Sequence, residues 1–300
     1  MHIKVATWQE YFTTFRCHDA YGSSAFLSLV KDRAEEVRCF VGYNLQGIAA
    51  LGMICGKRGE LWRMPWSAPW GSVEFAQNVS EAEISEFLTA VAAALAPSPL
   101  SITLPAELYP KQQPVVNAAK SLAKQVVTDV NYHYPLSRLA EFRKFMNPAA
   151  RNKYNHALRE GFEFTHTTDL ARAYAIIQQN RSTLGYYLAM SLDQLQDTIT
   201  QAIAADCFIL SRDGEDAAAA IVYRLNSDVA QVIYWGDVLP QRKHRPMNLL
   251  PFCVFEYYAQ QGFSTVDIGT ASLDGVRNEG LCDFKESIGC VASQKFTFVF

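Results

Sequence analysis

No C-x-x-C pair occurs among the seven cysteines, which lie at positions 17, 39, 55, 207, 253, 282 and 290. Their odd number and their apolar surroundings argue against a disulfide framework or a thiolate metal site. The expectation is reduced thiols acting as small core hydrophobes. The six histidines lack H-x-x-x-H spacing, so no metal site is expected either. No run approaches ~18 uninterrupted apolar residues, which excludes an expected membrane-spanning helix. The opening MHIKVATWQEYFTTF has no apolar h-region or cleavage signature, so no secretory signal is expected and the protein reads as cytoplasmic. There is no basic excess: net charge is -3, DNA is not an expected partner, and anion contacts would have to be local. A P-loop, a nucleophile elbow and a dinucleotide fingerprint are all missing, which sets kinase, hydrolase and dehydrogenase chemistry aside.

What is present is an internal repeat. Three hundred residues with 49% hydrophobic and 19% charged content describe a soluble globular chain long enough for two cores. In the first half the strands VRCFVGY, QGIAALGMIC and ELWRMPW follow one another across polar turns. Ser80 and Glu83 then form a capping box for the helix EAEISEFLTAVAAALA, ended by Pro97 and Pro99. A strand SITLP, a helix PVVNAAKSLAKQV and a strand NYHYPL complete the set. The second half repeats the order as DCFILSR, AAAAIVYRL, VAQVIYWGDV, a helix MNLLPFCVFEYYAQQG closed by Gly262, STVDIGT, EGLCDFKESIG and SQKFTFVF. Between the copies, the entry helices SRLAEFRKFMNPAARNKYNHALREG lead into the strand FEFTH and two further amphipathic helices. The reading is a tandem duplication of one α/β (α+β) unit, each copy a mixed, mostly antiparallel sheet flanked by helices. The expected domains are 1–145 and 146–300.

This order of elements resembles the GNAT acyltransferase fold. Two such units in tandem resemble the Fem-type (FemABX-like) ligases that add aminoacyl residues to peptidoglycan bridges. Two segments carry the likeness: RNKYNHALREGFEF before the second unit, and VDIGTASLDGVRNEGLCDFKESIG near its end, with the pattern N-x-G-L-x-x-F-K-x-x-x-G. One departure is clear. Acetyl-CoA-dependent GNAT enzymes carry a Q/R-x-x-G-x-G/A loop whose backbone N–H groups hold the pyrophosphate at a helix N-terminus. Here the position reads Gln241-Arg242-Lys243-His244-Arg245-Pro246-Met247 and contains no glycine, so side chains keep the backbone from close approach. The standard acetyl-CoA loop is therefore absent. The resemblance implies an acyl-CoA or aminoacyl-tRNA donor, with no other cofactor identified.

Residues fall into three candidate groups. Where the fourth and fifth strands of this fold part, Tyr234, Asp237 and Asp267 are placed to carry catalysis: Asp237 to position or deprotonate an amine, Tyr234 to donate a proton. A strand-end aspartate holding loop amides and a core tyrosine are the plain alternatives for Asp267 and Tyr234. Arg242, Lys243, His244 and Arg245 precede a helix and would bind the phosphate of a donor, or else form a solvated charged loop. Asn278 and Lys285 on the closing segment join this group, although Asn278 also fits a helix cap and Lys285 a solvated side chain. Trp66, Trp70, Tyr186 and Tyr187 lie in aromatic-rich loops and would line an acceptor pocket by stacking, or pack the core. Arg138, Arg143, Lys144, Arg151, Lys153 and Arg159 offer a basic shelf for tRNA or a lipid-linked pyrophosphate.

The expected function is transfer of an acyl or aminoacyl group to an amine of a cell-wall or polysaccharide precursor, through a cleft between the domains. Two alternatives stand beside it: a catalytically silent GNAT-like module that binds a ligand or a protein, and acetyl-CoA-dependent N-acetylation of a small metabolite.

Overall fold

The computed structural model describes every residue except His18 and Gln77. In the first half it places β1 (His2–Ala6), α1 (Trp8–Thr14), α2 (Ser24–Val30), β2 (Glu36–Tyr43), β3 (Ala49–Arg58), β4 (Leu61–Met64), a short β5 (Glu74–Phe75), α3 (Glu81–Leu95), β6 (Leu100–Thr103), α4 (Gln113–Leu122) and β7 (Gln125–Pro135). Then come α5 (Phe142–Phe145), α6 (Pro148–Ala157), β8 (Glu163–Thr167), α7 (Leu170–Thr183), α8 (Leu192–Gln201), β9 (Ala205–Arg212), β10 (Glu215–Arg224) and β11 (Val229–Asp237). The chain ends with α9 (Pro246–Gln260), β12 (Thr265–Thr270), the two-residue strands β13 (Ser272–Leu273) and β14 (Val276–Arg277), α10 (Glu279–Ser287) and β15 (Val291–Val299). The repeat legible in the sequence is present: each half runs strand, helices, three antiparallel strands, helix, strand, helix, strand. Local signals set the ends. Ser80 and Glu83 cap α3 reciprocally, and Gly262 follows α9 with φ +84, a conformation that only glycine adopts without strain.

The chain forms two compact units, and neither is a single stretch of sequence. One comprises Met1–Val130, Asp274–Val276 and Ser293–Phe300; the other comprises Asn131–Leu273 and Arg277–Ala292. In the first unit the strand order is β1-β2-β3-β4-β6-β15. In the second it is β7-β12-β11-β10-β9-β8, with β7 contributing its C-terminal half. The pairs β4/β6 and β11/β12 are parallel, while the other paired strands with known register are antiparallel. Both closing strands are thus exchanged relative to sequence order. Thr297, Phe298 and Val299 pair with Thr103, Ile102 and Ser101 in the first unit. Pro135, Tyr134 and His133 pair with Thr265, Val266 and Asp267 in the second.

Side-chain burial accounts for the exchange. Phe296, Phe298 and Phe300 fill a core built from Phe40, Leu51, Trp62, Phe87 and Leu88 of the first unit. Tyr134 is fully buried and stacks on Phe255 of α9 in the second, with centroids 4.4 Å apart. Burying such aromatic area is worth about 2 kcal/mol or more per side chain, which fixes each strand to the sheet that covers it. Cys39, Cys55, Cys207 and Cys282 are buried, and all seven cysteines are free thiols. Among the described residues no helix is long and apolar enough to cross a membrane, and no group of three or more His, Cys, Asp or Glu is arranged to hold a metal ion.

Candidate functional site in the second unit

The parallel pair of the second unit is short. β11 and β12 are in register only from Val229–Gln231 to Thr265–Asp267, and beyond that point they part. A bulge in β11 lies just past the point of parting: Ile221 of β10 faces Tyr234 while Val222 faces Val232, so Ile233 has no opposite residue.

Two side chains, Asp267 and Lys285, hold β12 open. Asp267 is 1% exposed and accepts hydrogen bonds from Asn131 Nδ2, Gln231 Nε2 and the Gly269 amide, each at 2.9 Å. Lys285, on α10, is 2% exposed and donates to the carbonyls of Ile268, Gly269 and Thr270 at 2.8, 2.8 and 2.9 Å. Three successive carbonyls can face one ammonium only if the backbone leaves the extended form, and Gly269 supplies the necessary positive φ of +74. Those carbonyls are then unavailable to β11, so the ladder stops. Burial pushes the Lys285 ammonium down to about 8, with the Asp267 carboxylate opposing that fall.

At the exit of β11, Asp237 is 6% exposed and receives Arg242 through Nη2 at 2.8 Å and Nε at 3.2 Å. Asn180 of α7 donates to the Asp237 carbonyl at 2.7 Å and to its carboxylate at 3.0 Å. Asn180 also explains Gly236, since a Cβ there would lie 2.6 Å from the Asn180 Cγ. Arg242 therefore leaves a short 3-10 turn (Leu239–His244) in a fixed direction. Next along the chain, Arg245 is left-handed (φ 63) and caps the start of α9, an uncommon conformation for a residue with a side chain.

A cavity of about 400 Å³ opens here. It is lined by Lys153 of α6, Arg242, Arg245, the first turn of α9 at Met247 and Asn248, and Asp283 and Phe284 of α10. Of its two carboxylates Asp237 is already paired with Arg242, so Lys153, Arg245 and the positive end of the α9 dipole give the space a net preference for anions.

The other candidate residues have plain positions. Tyr234 is nearly buried; its hydroxyl accepts from the Met190 amide at 3.2 Å, and burial pushes its pKa up. His244 turns away from the cavity to pair with Glu160, which also meets His156 at 3.2 Å. Lys243 is exposed and is not part of the cavity lining. Asn278 caps α10, accepting from the Leu281 amide at 3.1 Å. Lys285 has spent all three ammonium protons on carbonyls, which leaves none for a phosphate and replaces the solvated lysine that the sequence also allowed. Trp66 and Trp70 are each 3% exposed within the first unit, where the Trp66 indole donates to the Val30 carbonyl at 2.8 Å. Tyr186 and Tyr187 are exposed on the second. Of the expected basic shelf only Lys153 reaches the cavity: Arg138 lies over Phe145 and Lys144 pairs with Glu141. Asn180 and Asp283 had no sequence signal, because a polar residue on an amphipathic helix reads as solvated surface.

No protein-family model matches this chain, and no curated protein matches its sequence. Solved structures do. FemX matches at TM-score 0.65 and 13% identity over 100% of this chain and 98% of its own. L-PGS from Bacillus licheniformis matches at TM-score 0.57 and 17% identity over 92% of this chain and 87% of its own. A tandem GNAT protein from the clavulanic acid biosynthesis pathway, solved without acetyl-CoA, matches at 0.54 and 12% identity, covering 93% and 89%. Together with the duplicated element order, these likenesses show a tandem GNAT fold of the kind found in FemX.

Proposed function

We propose that the protein is an acyl- or aminoacyltransferase whose reaction centre is the gap between β11 and β12. The cavity at the start of α9 would receive the phosphate-bearing end of the donor. The observation that carries this is the early parting of the parallel strands beside an anion-preferring cavity, in a fold shared with FemX. Transfer requires an acceptor amine to attack the donor acyl carbon: an N–C bond forms, the ester C–O or thioester C–S bond breaks, and the amine proton passes to the leaving group.

Arg242 and Arg245 are the donor-binding residues of this reading, and Lys153 joins them. Asp237 serves as the positioning residue for Arg242, since its carboxylate is already paired. Tyr234 keeps its hydroxyl proton, because the Met190 amide uses only a lone pair, and it is the group left to protonate a leaving oxygen. With no glycine loop, side chains rather than backbone amides grip the phosphate, which favours an aminoacyl-tRNA or another donor over acetyl-CoA held in the usual way. An amine of a cell-wall or polysaccharide precursor is the proposed acceptor.

The test is transfer of radiolabel from aminoacyl-tRNA or acyl-CoA to an amine acceptor, with Arg242→Gln and Tyr234→Phe as variants. Turnover lost in Tyr234→Phe while donor binding persists supports the reading. No turnover with any donor, together with saturable donor binding, favours the second reading, a catalytically silent binding module. That alternative has its own observation: Asp237, Asp267 and Lys285 are all engaged within the protein, so none of them is a free base.

A further inference from the structure

The first unit has its own parallel pair, and it too ends beside a cationic cavity. β4 pairs with β6 from Trp62–Met64 to Leu100–Ile102, and a cavity of about 550 Å³ lies where the two strands end. Its lining includes Arg58, Arg63, Ser67, Thr103 and one edge of Trp66. Arg33 reaches Ser67, donating from Nη1 to the hydroxyl at 3.0 Å. Arg58 donates one Nη1 proton to the Trp66 carbonyl at 3.1 Å, which ties the β4 exit loop to the end of β3 and aims the rest of the guanidinium. Arg63, on β4, is exposed.

Among the described residues, none of these three arginines has a carboxylate within 4.0 Å. The chain has 30 acidic residues against 27 basic ones, so two guanidinium groups lining one hollow and a third bound to its serine, all without a counter-charge, are not a consequence of composition. Surface arginines ordinarily find a carboxylate or spread apart, because like charges this close repel. Here the backbone and Ser67 hold two of them in place. Ser67 accepts from Arg33, which leaves its own proton to donate outward, so the hollow offers guanidinium forks and a hydroxyl donor and no acidic side chain. Planar forks match the several oxygens of a phosphate better than a single carboxylate does. The volume suits a small phosphorylated molecule. Ligands of open α/β sheets sit at the carboxyl ends of parallel strands, which is where this cavity and the one at the start of α9 lie.

We infer that the first unit carries a separate binding site for a phosphate or diphosphate group, held by Arg58, Arg63 and Ser67, with Arg33 positioning Ser67. This site does not depend on the second unit being catalytic. It gives the protein a grip on a second phosphorylated ligand, distinct from the one received at the start of α9.

The test uses the full chain with inorganic pyrophosphate as the probe, by isothermal titration calorimetry. Arg242→Gln/Arg245→Gln serves as the background, so that binding in the second unit does not contribute. On that background saturable binding is expected. Arg63→Gln should weaken it at least about tenfold, the loss expected for one charge-assisted hydrogen bond. Among the described residues the Arg63 side chain has no hydrogen-bond or ion-pair partner, so the unliganded melting temperature should not move, and Arg58→Gln provides an independent second variant. No saturable binding on the background, or an isotherm unchanged in both Arg63→Gln and Arg58→Gln, overturns the inference. Glutarate binding as tightly as pyrophosphate would overturn the assignment to phosphate. Failure of the donor reading would show separately, as identical isotherms for the wild type and the Arg242→Gln/Arg245→Gln chain.

Discussion

Lys285→Met is the most informative single change, because its effect comes from two opposing terms that pH separates. The ammonium is buried and satisfies three carbonyls, at Ile268, Gly269 and Thr270. Methionine keeps the length and apolar stem but leaves those carbonyls without a donor, at about 1–3 kcal/mol each. Against this, methionine removes the cost of keeping a buried charge. A lysine brought from about 10.4 in the unfolded chain to about 8 in the fold is charged at neutral pH at a cost of about 3 kcal/mol. Taking about 2 kcal/mol for each carbonyl, the net at pH 7 is a loss of about 3 kcal/mol, since three carbonyls outweigh one ammonium.

The pH dependence follows from the same group. Between about pH 8 and 10.4 the unfolded chain holds this proton and the folded chain releases it, so the unfolded state binds more protons. Wild-type stability should therefore rise with pH through that window by up to about 3 kcal/mol, and the rise should be missing in Lys285→Met. Urea unfolding of both chains at pH 7, 8, 9 and 10, followed by far-ultraviolet circular dichroism, measures the difference. A variant as stable as the wild type at pH 7 would show that the three carbonyls find water at no cost. A wild-type advantage that is flat or falls from pH 8 to 10 would refute the buried-charge account.

Asn180→Ala should destabilise by about 1–2 kcal/mol in urea and weaken donor binding, because it releases the Asp237 carbonyl and carboxylate that aim Arg242. Gly289→Ala should cost clearly more than Gly214→Ala in a thermal melt: both have φ above +80, but only at Gly289 would the Cβ press on Phe145, 2.7 Å from its Cβ. Asp206→Asn should shift the acid-unfolding midpoint. Although burial pushes the Asp206 carboxyl up, hydrogen bonds from Arg224 and Tyr258 outweigh it and hold the group below the usual carboxylate range. The stability it contributes is present above that range and lost as pH falls through its folded pKa, and the variant should not show that loss. Ser80→Ala should cost about 1 kcal/mol, since it removes the reciprocal cap of α3.

Read along the chain, the order of elements, the duplication and the helix ends were legible, because hydrophobic period and capping residues are local. Asn278 as a cap and the run before α9 as the place where cations gather both follow from near neighbours in sequence. The exchange of the closing strands was not legible: FTFVF and NYHYP alternate in the same way whichever sheet receives them, and only the aromatic cores of the two units choose. Nor was the division of labour within the basic run. Arg242 finds Asp237 five residues away, whereas His244 finds Glu160 across 84 positions of sequence. Lys285 shows the boundary best. A lysine beside an apolar helix face reads as solvated, and only the three carbonyls gathered around Gly269 make its burial affordable. Sequence determined what each segment would become; the tertiary structure decided which distant groups each charge would meet, because that depends on contacts no local pattern records.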